Sequence, residues 1–345
     1  RQMCIRDSTY SPRGASGPRT IRLNIWYPSL DTEGTGPTYM FIFHDDDVFQ
    51  DASLAPPAYP GGYPVHVYSH GWAGFGGTSS NLMHYFASHG WVLIAPDHTG
   101  NTLPENTDSL PITHYFSRPM DITAVLDALE GLSSDDPLAG KTLTQKVLLS
   151  GHSFGTFTTW ATAGAAFDRD EIERMCDEGT KFSEPCTEAQ IDVFDEALAD
   201  PRVVAGIPMA GGVGEEGGWF GFEGYDAANK PFLLMSGSED PVGAENVFDR
   251  AKTIDLTWLD FEGACHQAFA LGGCEGLAPR HAAHARSRGA LGLSASRSVG
   301  HRADVGPASH TCPRGLANRS AAWTNYGEHR NDSWRHGSEC HSRRV

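Results

Sequence analysis

A serine stands midway between two glycines in Gly151-His152-Ser153-Phe154-Gly155, and this stretch constrains the chain more than any other. The apolar run Val147-Leu148-Leu149 leads into it, and the residues after it read as a helix. A strand that turns into a helix around one residue forces that residue into strained dihedrals and leaves its side chain exposed. Side chains at the flanking positions would collide with neighbouring backbone, so both must be glycine. In a chain with 39 glycines the pentapeptide alone is weak. Its flanks give it weight, because they fix a strand–turn–helix order at this point.

Strand-length apolar runs occur at 65–69, 91–96, 147–150, 203–208, 232–236 and 257–261. Near-continuous apolar character means burial on both faces, as in a parallel sheet. Helical patterns separate them at 80–88, 118–132, 154–166 and 244–251. Gly90 is a stop signal for the first, and Pro119 sits near the start of the second. The stretch 20–27 alternates, as an early and partly exposed strand would. This rhythm predicts an α/β domain with a mostly parallel central sheet and helices on both faces. The acidic segment 167–200 breaks the rhythm after the helix that follows Ser153, with a helical stretch near 191–199. It reads as a surface insertion that could serve as a lid.

Composition sets the limits of that domain. The segment 280–345 has eleven arginines, no lysine, four acidic residues, and neither isoleucine nor phenylalanine. It carries +7, which leaves −24 for the rest of a chain whose total is −17. With no apolar period it cannot offset chain entropy, so it is expected to be a basic, low-order tail outside the fold. Residues 1–8 read like translated sequencing-adapter sequence and are expected to lie outside it too. The domain is then 9–279. Its negative charge argues against nucleic acid as a partner, and no apolar run is long enough to span a membrane.

With Cys4, Cys312 and Cys340 set aside in the ends, four cysteines remain. They form two close pairs, suggesting Cys176–Cys186 and Cys265–Cys274, although four cysteines allow three connectivities. Two local disulfides point to an oxidising compartment, hence a secreted or periplasmic protein. Neither spacing suits zinc. The loop with Asp45, Asp46, Asp47 and Asp51 is dense enough in carboxylates for calcium, but it lacks the spacing of a known calcium loop and reads as solvated. No metal and no cofactor are expected.

A serine hydroxyl needs a base to take its proton, and the base needs an acid to fix its tautomer. On this kind of sheet the order is serine, acid, histidine. His266 is the sole histidine between Ser153 and the basic segment. Asp240 follows the run 232–236, which places it at the carboxyl rim of the sheet beside Ser153. Glu239, Asp260 and Glu262 are the competing acids. His70, His98 and His152 read as structural. A tetrahedral oxyanion needs backbone donors: the Phe154 N–H, and the Trp72 N–H from the glycine-rich loop after 65–69. Trp72, Phe75, Trp219, Phe220, Phe222 and Tyr225 are candidate walls of an apolar cleft, with Phe75, Trp219 and Phe220 the substrate-contacting candidates.

Several motifs together carry a resemblance. His70-Gly71-x-x-Gly74, Ala95-Pro96-Asp97-His98 with Asn101-Thr102, Arg118-Pro119-x-Asp121-Ile122 and the serine pentapeptide resemble the α/β-hydrolases related to platelet-activating-factor acetylhydrolase. Bacterial polyester hydrolases and dienelactone-hydrolase-like esterases are neighbouring groups. The resemblance covers about 20–276. It implies the α/β-hydrolase fold and metal-independent hydrolysis of carboxylic esters through an acyl-serine, with short-chain, lipid-like and polyester esters, small or polymeric, as the candidate substrates. Ser153, Asp240 and His266 match the family's triad, and Phe154 and Trp72 its oxyanion positions. After the histidine the family continues into a helix packed on the sheet, where this chain turns basic. A serine peptidase, a thioesterase and a non-catalytic binding protein on the same fold are the alternatives. A histidine base works only unprotonated, so turnover should fall in acid.

Overall fold

The computed structural model describes residues 2–271 apart from 106, 197 and 214–217, together with Cys274 and 284–287. The strands are β1 (Gln2–Tyr10), β2 (Arg19–Tyr27), β3 (Thr38–Tyr39), β4 (Phe43–His44), β5 (Phe49–Gln50), β6 (Tyr63–Ser69), β7 (Val92–Asp97), β8 (Thr142–His152), β9 (Val203–Met209), β10 (Phe232–Gly237), β11 (Leu256–Glu262) and β12 (His284–Ser287). The helices are α1 (Ser80–Ser88), α2 (Thr113–Glu130), α3 (Phe154–Ala163), α4 (Arg169–Asp177), α5 (Glu188–Ile191) and α6 (Ala244–Arg250). One sheet runs in the order β12-β11-β10-β9-β8-β6-β7-β2-β1-β5, and β3 and β4 form a separate hairpin.

From β7 through β6, β8, β9 and β10 to β11 every pairing is parallel, as the apolar runs require. All six residues of β7 are buried. Successive side chains go to opposite faces. Ile25, Val67 and Ile94 join one core with α2, α3 and α6. Their neighbours Trp26, Tyr68 and Leu93 join another with Met83 and Ala87 of α1. Helices therefore cover both faces.

The register sets up the site. Ser69 pairs with Gly151, and Gly151 with Pro208. Gly237 pairs with Phe261. The carboxyl ends of β6, β8, β10 and β11 thus lie along one rim.

Four expectations need correction. Residues 2–8 do not stand apart: Gln2–Tyr10 pairs antiparallel with β2 along its whole length. An open edge offers backbone donors and acceptors, which pairing satisfies with little regard to side chains. Helix α2 starts at Thr113, so Pro119 lies inside it and cannot supply the usual N–H donor to the Tyr115 carbonyl. The helical stretch expected near 191–199 is the short α5, ending at Ile191, followed by a tight 192–195 turn. Asp45 is not solvated: it is 8% exposed and accepts from Tyr39 Oη at 2.9 Å and His84 Nε2 at 2.8 Å, tying the hairpin to α1. Of the 280–345 segment, only 284–287 falls within the described residues. Its backbone pairs antiparallel with β11.

The insertion has its own small core, in which Ile172, Met175, Phe182, Ile191 and Phe194 pack on Tyr115 and Phe116 of α2. Disulfides join Cys176 to Cys186 and Cys265 to Cys274. Among the described residues no helix is long and apolar enough to cross a membrane.

Candidate active site

Ser153 has φ 55° and ψ −115°, a conformation that costs any non-glycine residue energy. The turn is held by the tightness of its surroundings. A Cβ on Gly151 would sit 2.0 Å from the Gly155 carbonyl oxygen, and one on Gly155 would sit 2.0 Å from the Ser69 carbonyl oxygen. Both obstacles are backbone, which cannot swing aside. Gly155→Ala should therefore cost about 3 kcal/mol, a fall in Tm of roughly 6–12 °C. A thermal melt within 2 °C of the parent would contradict this account of the turn.

Asp240 sits in the turn after β10, its N–H donating to the Gly237 carbonyl at 3.0 Å. Its side chain is 1% exposed. His266 follows β11 in a short 3-10 turn. The two turns are pressed together, because a Cβ on Gly237 would meet the Ala264 carbonyl oxygen and the Glu239 N–H donates to that same oxygen at 3.0 Å. The structure brings the three candidate residues together: His266 Nδ1 is 2.9 Å from Asp240 Oδ2, and His266 Nε2 is 2.8 Å from Ser153 Oγ. A carboxylate only accepts, so Nδ1 carries the proton and Nε2 accepts from the serine hydroxyl. Asp260, a rival for the acid, accepts instead from Ser236 Oγ at 2.8 Å.

His152 donates from Nε2 to the His266 carbonyl at 2.9 Å. Burial lowers its pKa to about 4, so it is neutral when it does so. The loop after β6 is fixed by a second histidine. His70 Nε2 accepts the His98 N–H at 3.0 Å, so Nδ1 carries the proton and donates to the Gly71 carbonyl at 2.7 Å. Gly74 N–H reaches the same carbonyl at 3.2 Å. That carbonyl belongs to the peptide unit of the Trp72 N–H. In a planar trans peptide, two donors on the oxygen aim the N–H the opposite way. A Cβ on Gly71 would be 3.2 Å from Ser153 Cβ, so this peptide borders the serine. The Phe154 N–H is in the first turn of α3 and has no acceptor within the helix.

Ser153 opens into a cavity of about 650 Å³ walled by Trp72, Tyr115, Phe154, Phe157, Trp219 and Phe220. Tyr115 and Trp219 stack at 4.2 Å. The insertion closes one side with Glu171, Arg174, Met175 and Lys181. Trp72, Trp219, Phe220 and Tyr225 are therefore lining residues. Phe75 is not: it is 4% exposed and packs between Tyr39 and Phe43, because the chain reverses at Ala73 (φ 51°). Phe222 is 63% exposed and lies under Arg250. Tyr115 and Phe157 were missed as walls. The available signal was the three-residue spacing of Phe154 and Phe157, which puts both rings on one helix face. Elsewhere, Asp45, Asp47 and His84 place one ligand atom each within 4.8 Å of one another, the only such cluster among the described residues.

Residues 50–173 match the protein-family model described as Chlorophyllase. Over 110 residues the chain is 34% identical to Chlorophyllase-2 of Arabidopsis thaliana, covering 32% of each protein. The chain thus spans about a third of the length of that curated relative. A ferulic acid esterase from Streptomyces cinnamoneus has a similar solved structure, with a TM-score of 0.50 and 20% identity over 78% of this chain and 75% of that one. This chain has the α/β-hydrolase fold. The family-model match takes in β6 to α3, which in this α/β-hydrolase hold Trp72, Ser153 and Phe154. Asp240 and His266 lie beyond it.

Proposed function

We propose that this α/β-hydrolase is a serine carboxylic-ester hydrolase that works through an acyl-enzyme. The observation that carries the reading is the continuous line from Asp240 Oδ2 through the His266 ring to Ser153 Oγ, at 2.9 and 2.8 Å. Ser153 Oγ attacks the ester carbonyl carbon while His266 Nε2 takes its proton. The carbonyl π electrons move to oxygen, and that oxyanion accepts from the Phe154 and Trp72 amides. Collapse breaks the bond to the alcohol, which leaves with the proton from His266. Water then repeats the sequence on the acyl-serine and releases the acid. Asp240 keeps the Nδ1 proton in place and stabilises the imidazolium that forms twice per cycle.

The aromatic walls suit an acyl group that is apolar or itself aromatic. The insertion, cross-linked by Cys176–Cys186, covers the cavity, and its Glu171, Arg174 and Lys181 give the mouth charged edges. Two disulfides fit an extracellular site of action. The same machinery cleaves thioesters and peptides, so leaving groups separate the readings. Purified protein should hydrolyse p-nitrophenyl butyrate at least 100-fold faster, in kcat/KM, than a matched peptide anilide. A peptide anilide cleaved faster than the ester would replace this reading with a peptidase.

A further inference from the structure

The two amides assigned to the oxyanion come from different elements, Trp72 from the loop after β6 and Phe154 from the start of α3. Their spacing must be set by something that touches both. Arg118 of α2 does so. It is 0% exposed. Its Nη2 donates to the carbonyl of His70 and to Ser69 Oγ, the latter at 3.0 Å, and its Nη1 donates to Asn101 Oδ1 at 2.7 Å. Its Cζ stands 4.2 Å from the centre of the Phe154 ring. One planar guanidinium thus grips the residue before the Gly71–Trp72 peptide and lies on the side chain of the other donor.

A buried arginine placed only for packing would be expected to pair with a carboxylate. Asp121, one turn along the same helix, favours the Arg118 cation through its charge, but its hydrogen bonds go to other groups: Arg19 Nε at 2.7 Å and Nη2 at 2.9 Å, His98 Nδ1 at 2.7 Å, and Tyr10 Oη. The acceptors of Arg118 are neutral, and two of them lie in the Ser69–His70 segment that leads into the loop. Burial lowers the Arg118 pKa to about 9, which leaves it a cation at neutral pH. A cation facing a neutral carbonyl and an aromatic face makes directional contacts with both.

We propose that Arg118 is a positioning residue that holds the Trp72 and Phe154 amides at the spacing an oxyanion requires, an inference that rests on the ester-hydrolase reading. It predicts damage confined to the transition state. Arg118→Lys keeps a charge but loses the planar fork and the ring contact. With p-nitrophenyl butyrate its kcat should fall 10- to 100-fold while KM stays within about twofold. The inhibition constant of a trifluoromethyl ketone, which forms an oxyanion on Ser153, should rise by the same factor as kcat falls. The acid limb of the pH–rate profile should not move, since the base is untouched. An unchanged kcat in folded Arg118→Lys, or a loss confined to KM, overturns the inference and leaves the hydrolase reading standing. Wild-type protein that neither turns over the ester nor reacts with a fluorophosphonate overturns both. If Arg118→Lys does not melt cooperatively, Asn101→Ala tests the same clamp with the cation in place. It should lower kcat several-fold at constant KM, and no change overturns the inference.

Discussion

Ser153→Ala should lower ester turnover about 10⁴- to 10⁶-fold and abolish labelling by a fluorophosphonate, with the fold intact. The substitution removes one oxygen. The turn around it depends on Gly151 and Gly155 meeting backbone carbonyls, and alanine at φ 55° bears nearly the same steric load as serine. His266 still has Asp240 at 2.9 Å to fix its tautomer, and the aromatic cavity is unchanged. What disappears is the atom proposed to form the acyl bond, and with it the proposed two-step route. Residual rate then comes from the oxyanion donors acting on water's own attack, which explains a floor above zero. A burst of p-nitrophenolate equal to the enzyme concentration should mark the wild type and be absent from the variant. A variant that keeps its burst, or its label, would require another nucleophile and would end the assignment.

How far the chain could be read in advance follows from which forces leave a mark on local sequence. Strands buried on both faces must be apolar throughout, so β6, β7, β9, β10 and β11 appear as runs, with ends within two residues of the observed ones. Where such strands end decides which side chains stand at the rim, and so Asp240 and His266 could be picked out by position. β8 is legible only from 147, not from its start at Thr142, because its first half carries the polar Thr142, Thr144, Gln145 and Lys146, which interrupt the apolar run. Residues held by tertiary contact left no such mark. Thr113–Ser117 has aromatic and β-branched residues that are poor helix formers. It is helical because Tyr115 and Phe116 pack under the insertion. With the helix start misplaced, Tyr115 could not be seen as a cavity wall. Phe75 is hidden from sequence for a related reason: proximity to Trp72 says nothing about direction once Ala73 turns the chain. Strand β1 depends on backbone pairing with an open edge, to which side chains contribute little.

The second large effect is on stability in acid. His66, His70 and His152 are 0%, 0% and 4% exposed. Burial is the leading cause that lowers each pKa: to about 3 for His66, well below the usual range for His70, and to about 4 for His152. Each is neutral in the folded protein, and His66 Nδ1 has no hydrogen-bond partner. Above a pH of about 6.5, the ordinary imidazole value, folded and unfolded chains hold the same protons and these groups favour neither state. Below it the unfolded chain takes up protons that the folded chain refuses. Stability is therefore lost as pH falls, from about 6.5 down to about 4 for His152 and about 3 for His66. Each such proton steepens the loss by about 1.4 kcal/mol per pH unit, hence about 4 kcal/mol per unit for three. Two units then remove about 8 kcal/mol, a large share of a total stability of about 5–15 kcal/mol. Burial raises the pKa values of Asp45 and Asp200, but hydrogen bonds and their His84 and Arg202 partners outweigh it and leave both lowered, so they add a further loss below the carboxylate range, since their contribution is present above it and disappears as they protonate. The urea midpoint should thus be highest near or above neutrality and fall steeply between pH 6 and 4.5. A midpoint that is flat from pH 7 to 5 would refute the argument. His66→Gln retains a partner for Ser150 Oγ, which lies 2.7 Å from the imidazole, but cannot titrate. It should flatten the slope by about 1.4 kcal/mol per pH unit without altering stability above pH 7 by a similar amount.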